Sequence, residues 1–315
     1  MFRLARQLAG IGVLGLNHRN AEYTLWHNPR KLYPLVDDKL RTKELALRAG
    51  IAVPELYGVV EGEYQLRNLR DVLKQYSDFV IKPAYGSGGD GILVISGRLK
   101  DLYRKPDGLL IGQEELNHHV ANIISGLYSL GGQPDKALIE YRVHIDPLFE
   151  AISYQGVPDI RVIIFLGVPV MSMVRLPTRT SGGRANLHQG ALGAGIDLAT
   201  GTTLTAVWRN DIVAEHPDTG SPVTGLRIPD WEDLLRLAAN CYELTGLGYQ
   251  GVDIVLDREK GPLILELNAR PGLNIQIANR AGLFPRLNLV EQSHRNLHGV
   301  EERVAFARTH FGAHA

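Results

Sequence analysis

GVDIVLDREKGPLILELNARPG, residues 251–272, reads as two apolar strands joined by a charged turn. With the turn centred between Glu259 and Lys260, Asp253 stands directly opposite Glu266, and opposed side chains lie roughly 5 Å apart. Asn268 projects from the same face, two residues on. In this register the acids share their face with Val255 and Ile264. The other face, Val252, Ile254, Leu263, Leu265 and Leu267, is wholly apolar. Carboxylates set among apolar neighbours repel unless a cation or proton lies between them. Asp253, Glu266 and Asn268 are hard oxygen donors and suit Mg²⁺ shared with nucleotide phosphates. The bland alternative is a solvated face carrying two acids, and the apolar surroundings weigh against it.

Working outward, FVIKPAYGSGGDGILVI (79–95) places a second glycine-rich turn between two apolar runs, again a hairpin. Glycines let consecutive backbone N–H groups approach an anion, and Lys82 on the incoming strand could reach a phosphate from the side. No Gly-Lys-Ser/Thr follows, which excludes a P-loop, and a strand rather than a helix follows, which excludes a dinucleotide fingerprint. Alone, the loop is equally a simple turn.

The remaining elements predict an α+β chain with mixed, mostly antiparallel strands. Helices are expected within 37–55 (capped by Asp37 or Asp38, with Leu40, Glu44 and Leu47 at helical spacing, and stopped by Gly50 and Pro54), over 66–76, 115–132, the run WEDLLRLAANCYELTG, and the tail from Val290 to His310. KALIEYRV, DIRVIIFLGVPVMSMVRLP and LTAV read as strands. At 315 residues, 44% hydrophobic and 22% charged, the composition is that of a soluble globular protein. Lysine plus arginine balance aspartate plus glutamate at 34 each, so neither nucleic acid nor a membrane surface is expected as partner. The single cysteine, Cys241, excludes an intrachain disulfide and suits the cytoplasm. Arg3 and Arg6 before LAGIGVLGL resemble the front of a signal peptide, but the run lacks a cleavage site and reads as a packed N-terminal segment.

Lys39 in its helix, FVIKP-x-GSGGDGI, LIEYRV, DIR, RANLHQGA, GVDIV and LELNARPGL occur in the order seen in the ATP-grasp superfamily. The set is similar to the branch of ribosomal-protein glutamate ligases and α-L-glutamate ligase-like proteins, from about Asp37 to Gly282. The resemblance implies two α+β subdomains gripping ATP, and an ATP- and Mg²⁺-dependent carbon–nitrogen ligase acting through an acyl phosphate, with Mn²⁺ as a substitute metal. It places Lys39, Lys82, Ser87, Gly88 and Gly89 on the ATP phosphates, Glu140 and Tyr141 beside the adenine, and Asp159 at the ribose. Arg184 and Asn186 complete the phosphate side, and Asp253, Glu266 and Asn268 hold the metal. Arg161 and Arg270 fall on the transferring phosphoryl group or substrate carboxylate as catalytic residues.

The same resemblance divides the chain into a reduced N-terminal segment (1–36), a lysine-helix and glycine-lid subdomain (37–140), a metal-bearing subdomain (141–285) and a helical tail (286–315). With so short an N-terminal region, recognition of the carboxylate and amine substrates falls to GLNHRNAEYTLWHNPRKLYPLV, where Arg19, Arg30 and Lys31 mix with Tyr23, Trp26 and Tyr33, to a second copy of the chain, or to a partner protein. The insertion HIDPLFEAISYQGVP (144–158) is a cap over the nucleotide, a subunit contact or a structural loop. His188 reads as structural and His118-His119 as solvated. Two rival functions remain: an ATP-grasp kinase acting on a small acceptor, and a non-catalytic ATP-binding module.

Overall fold

In the computed structural model, which describes residues 7–86 and 88–312, the contacts separate two units. One comprises Asp38–Glu44 and Val53–His144; the other runs up to Asp37, takes in Leu45–Ala52 and resumes at Ile145.

In the first unit, short β-branched runs form strands β1 (Leu56–Val60), β2 (Phe79–Pro83) and β3 (Leu93–Ile95). The hairpin expected around the glycine loop is present, with Phe79 opposite Ile95 and Ile81 opposite Leu93. Strands β4 (Gly97–Leu99), β5 (Leu102–Arg104) and β6 (Leu110–Ile111) make a separate small sheet, and β7 (Ala137–Glu140) inserts between β1 and β2. The main sheet has the order β1-β7-β2-β3, every pair antiparallel.

Helix α1 (Lys39–Arg48) is capped by Asp38, whose Oδ1 accepts from Leu40 N at 2.9 Å. It buries Lys43 and Ala46, while Leu47 is 58% exposed. Helix α2 is Leu66–Leu73 and α3 is Gln113–Ile124. The latter stops short of the expected 132 because Gly126 turns left-handed (φ 86°), and a Cβ there would lie 2.3 Å from Gln133 O. Leu69, Leu73, Phe79, Ile81, Leu116 and Ile123 form the core between helices and sheet; each such side chain contributes about 1.5–3 kcal/mol on burial.

The second unit is built on a seven-stranded antiparallel sheet: β8 (Asp159–Phe165), β9 (Val168–Leu176), β10 (Leu192–Ile196), β11 (Thr203–Trp208), β12 (Asp211–Val213), β13 (Tyr249–Asp257) and β14 (Gly261–Asn268), in the order β12-β11-β10-β9-β8-β13-β14. Helix α4 (Trp231–Thr245) packs on β8, β9 and β13 through Leu234, Leu235, Ala238 and Cys241. Cys241 is fully buried, so its role is apolar packing. Helices α5 (Ile275–Asn279), α6 (Phe284–Ser293) and α7 (Gly299–His310) complete the unit. The helical tail expected from Val290 to His310 is divided between α6 and α7, with a 3-10 turn at His294–Asn296 between them and Gly299 at φ 84° opening α7. All of the 144–158 segment but His144 belongs to this unit: Ile145 bridges to Asp257, Asp146 caps the short turn Pro147–Glu150, and Phe149 is buried. Among the described residues no helix is long and apolar enough to cross a membrane.

The 251–272 hairpin pairs Asp253 with Glu266, as expected, but by a different route. Its turn is centred on Glu259 rather than between Glu259 and Lys260, with Asp257 opposite Gly261, and the register shifts between Asp253 and Ile254, where Leu265 is the extra residue. The two departures cancel at Asp253–Glu266. Beyond the shift Val255 faces Leu263, so Leu263 and not Ile264 shares the acids' face.

Candidate active site

In the first unit Lys82 on β2 and Glu140 on β7 project from the same face, because Glu140 pairs with Val80 and Leu138 with Lys82. Lys82 Nζ lies 2.8 Å from Glu140 Oε2, and Lys43 Nζ lies 3.1 Å from Oε1. All three side chains are buried. Burial lowers the Lys43 ammonium to about 8, with Glu140 offsetting part of the effect. Burial alone would raise the Glu140 carboxyl, but the two ammonium groups outweigh it and hold it below its usual value. Lys43 also donates to Pro54 O. The sequence reading missed Lys43, although it stands four residues after Lys39 on the same helix face. Its carboxylate so engaged, Glu140 organises lysines rather than presenting a free acid; beside it, Tyr141 N donates to Glu55 O at 2.8 Å.

The glycine loop is anchored at several points within this unit. Lys39 Nζ donates to Gly86 O, Tyr85 OH to Asp38 Oδ2 at 2.9 Å, and Tyr85 N to the carboxylate of Asp135 at 3.1 Å. Gly88 and Gly89 take positive φ (66° and 82°), a conformation glycine adopts without strain. Ser87 lies outside the described residues. His119, read as solvated, is instead half-buried, with Nε2 3.0 Å from Gly91 O, and burial lowers its imidazole below the usual value. At Gly91 φ is 75°, and a Cβ would lie 2.6 Å from the Tyr128 ring. Gly91→Ala is expected to cost about 1–3 kcal/mol of local strain and to speed amide exchange across 84–92 by at least about fivefold relative to β7, read by hydrogen-exchange mass spectrometry.

The second unit carries a charged network on one face of its sheet. The register sets Asp159 opposite Arg175, and Asp253 between Arg161 and Glu266. Arg175 grips Asp159 with two bonds of 2.5 Å and reaches Asp253 Oδ2 at 2.8 Å. Arg161 donates to both oxygens of Asp253, at 2.7 and 2.6 Å. Asn268 Nδ2 lies 3.3 Å from Asp253 Oδ2. Burial opposes ionisation of Asp253, but Arg161 and Arg175 outweigh it and hold the carboxyl well below its usual value. At Asp159 burial wins over Arg175, with Asp253 adding repulsion, and the carboxyl is raised.

Arg175 is the second residue the sequence reading missed. Its signal was a lone arginine in the apolar run VPVMSMVRLP, which the Leu166–Gly167 turn carries opposite Asp159. Glu266 and Asn268 are half-buried on the same face. Arg184 is exposed in the loop after β9, where Asn186 caps a short turn, its Oδ1 accepting from His188 N at 3.0 Å. Arg270 is exposed, its guanidinium 5.3 Å from the centre of the Tyr33 ring.

The sequence pattern of the sugar-transfer associated ATP-grasp family matches residues 18–292, most of the chain. The chain belongs to that family. Its α+β architecture with antiparallel sheets is the ATP-grasp fold. The biotin carboxylase domain of the 2-oxoglutarate carboxylase of Hydrogenobacter thermophilus, in complex with MgADP, ADP and bicarbonate, is 15% identical with a TM-score of 0.51, over 86% of this chain and 49% of that one. D-cycloserine synthetase DcsG is 16% identical (TM-score 0.48, 84% and 72% of the two chains), and the ATP-grasp ligase PsnB with a minimal precursor is 14% identical (0.45, 85% and 63%). The chain therefore spans less than two thirds of PsnB. No curated protein matches the chain.

Whether this ATP-grasp chain can hold Mg²⁺ turns on its donor set. Among the described residues no three His, Cys, Asp or Glu side chains cluster as a metal site; the expected set has two carboxylates and an amide. Asp253 already accepts from two arginines and Asn268, so both its oxygens are engaged. Glu266 and the amide oxygen of Asn268 are hard donors on the same face, and Mg²⁺ needs only one or two protein carboxylates when phosphates and waters complete its shell. The side chains of Glu266 and Asn268 are of the kind that fits the ion, while Asp253 is held by Arg161 and Arg175.

Proposed function

We propose that this ATP-grasp chain is an ATP- and Mg²⁺-dependent ligase that joins a carboxylate to an amine, in the manner of the glutamate ligases its motifs resemble, with an amino acid, peptide or protein as acceptor. The observation that carries the reading is the Asp253–Glu266 pair with Asn268 beside it and Arg161 and Arg175 clamped around it. Such a set neutralises transferring phosphate and aligns it, which is most of what phosphoryl transfer asks of a protein.

In the proposed reaction a carboxylate oxygen attacks the γ-phosphorus and the bond to the β-phosphate oxygen breaks, releasing ADP. The amine nitrogen then attacks the acyl carbon, the bond to phosphate oxygen breaks, and the amine loses a proton. Lys82, fixed by Glu140, and Lys39 neutralise the ATP phosphates. The loop with Ser87, Gly88 and Gly89 excludes water from the acyl phosphate. Glu140 and Tyr141 frame the base through backbone groups. Asp159 acts by fixing Arg175, since both its oxygens accept from that guanidinium. Arg161, released from Asp253, and Arg270 bear on the phosphoryl group or the attacking carboxylate, with Arg184 and Asn186 on the phosphate side. Mg²⁺ held by Glu266, Asn268 and Asp253 would supply charge neutralisation at the phosphates.

Hydroxylamine trapping tests this. With ATP, Mg²⁺ and pooled amino acids or short peptides, a ligase yields a hydroxamate in step with ADP release. ADP release with a stable phosphorylated acceptor and no hydroxamate would establish a kinase instead. Nucleotide binding without turnover would leave a non-catalytic module.

A further inference from the structure

The 144–158 segment leads from β7 to β8 with far more chain than the roughly 4–6 residues a connection ordinarily takes, and loops of such length commonly carry function. Within the second unit its first half is fixed. Ile145 bridges to Asp257 and Asp146 N donates to Leu256 O at 3.2 Å, both at the turn end of β13, while Phe149 and Ile152 are buried. Its second half lies against the loop that carries Arg184 and Asn186. Tyr154 N donates to Pro177 O at 3.1 Å, and the Arg179 guanidinium lies 5.2 Å over the Tyr154 ring. Ser153 Oγ closes the turn on Gly156 O at 2.7 Å, with Gln155 between them in the left-handed region at φ 52°. A residue other than glycine stays in that region only where its surroundings hold it.

The closest approach is backbone on backbone. A Cβ at Gly156 would lie 1.8 Å from Gly183 O, and one at Gly183 would lie 3.3 Å from Gln155 O. A glycine thus stands on each side of the contact, and any side chain at Gly156 would force the two loops apart. The rest of the Arg184 loop is held as well. His216 Nε2 lies 2.9 Å from Pro177 O, Thr178 N donates to Ser181 Oγ at 3.0 Å, and Gly183 N donates to Thr178 O at 3.2 Å. With its base so fixed, the position of Gly183 sets that of Arg184, the next residue, whose N donates to Ser181 O at 3.2 Å.

We propose that the Ser153–Gly156 turn is a positioning element for the 178–190 loop: it sets where Arg184 meets the phosphates of the nucleotide, with Gly156 and Tyr154 acting through that arginine. The assignment rests on the ligase reading, which puts Arg184 on the phosphate side. The rival is a contact that stabilises the unit and has no bearing on nucleotide.

Gly156→Ala tests this, measured by hydrogen-exchange mass spectrometry and by calorimetric binding of Mg-ATP, beside Arg184→Gln and the double variant. Exchange across 178–190 is expected to quicken at least about fivefold, with β8 and β9 unchanged. The Mg-ATP dissociation constant is expected to rise about tenfold in each single variant and no further in the double one, since a turn that acts through Arg184 then has nothing left to act on. Losses that add, or quickened exchange with unchanged affinity, overturn the proposal and leave a structural contact. Unchanged exchange overturns the brace itself. If Gly156→Ala does not fold, Tyr154→Ala carries the comparison with smaller shifts in the same direction, and Tyr154→Phe, which keeps the ring under Arg179, is expected to restore exchange and affinity together. Wild-type protein that binds no Mg-ATP fails the proposed function and this assignment with it, whereas wild-type binding with additive losses fails this assignment alone.

Discussion

Glu266→Gln is expected to lower Mg²⁺-dependent ADP release by roughly 100-fold or more while leaving the fold intact. Glutamine keeps the volume and one oxygen but removes the charge that a divalent cation requires. Because Glu266 faces Asp253 across the β13–β14 pair, the substitution also removes a like-charge opposition, so thermal stability should stay level or rise slightly. Activity and stability thus move independently, and that separation distinguishes a metal ligand from a structural acid. ADP release and the unfolding midpoint, measured on the same preparation, check it. Near-normal turnover would remove Glu266 from the metal set.

Arg175→Met should have the largest effect on stability. The guanidinium is buried and serves two carboxylates, and its loss leaves Asp159 a buried acid without its bidentate partner. Removing one partner of a buried ion pair costs about 3–5 kcal/mol, read from the urea midpoint. Adding Asp159→Asn should recover much of that loss by removing the stranded charge.

The sign of the pH dependence follows. Without Arg175 the folded-state value of Asp159, already raised by burial, lies further above its unfolded value. The folded variant therefore binds a proton that the unfolded chain does not, and its stability deficit shrinks as pH falls from 7 through the raised value. A deficit constant between pH 7 and 5 would show that the clamp acts by packing and not by charge.

Much of this was legible because strand alternation and turn residues act locally. Asp253 and Glu266 met as read, and the glycine hairpin paired as read, since both depend on residues close in sequence. What was not legible depended on partners brought together from a distance. Lys43 sits in a helix whose spacing gives no sign of a buried lysine, and only the carboxylate of Glu140, nearly a hundred residues later, explains its burial. The register of β8 against β9 and β13 sets Arg161 and Asp159 each beside an opposite charge, a pairing that their own stretch of sequence does not show. His119 looked like one of two solvated histidines until the return of the glycine loop put Gly91 O over it. The ordered motifs pointed to the ATP-grasp superfamily, and the family match to its sugar-transfer associated members.

The register shift at Leu265 gives the hairpin a dependence on length that residue identity does not reveal. Side chains alternate strictly along a strand, so Leu263 reaches the acids' face only because Leu265 is left unpaired. Deleting that leucine would join Ile264 to Glu266 and give an unbulged ladder with Leu263 still on the acids' side, whereas flattening the bulge with Leu265 retained would put Ile264 there in its place. A homologue one residue shorter between Asp257 and Asn268 would therefore keep its acids paired on a regular strand.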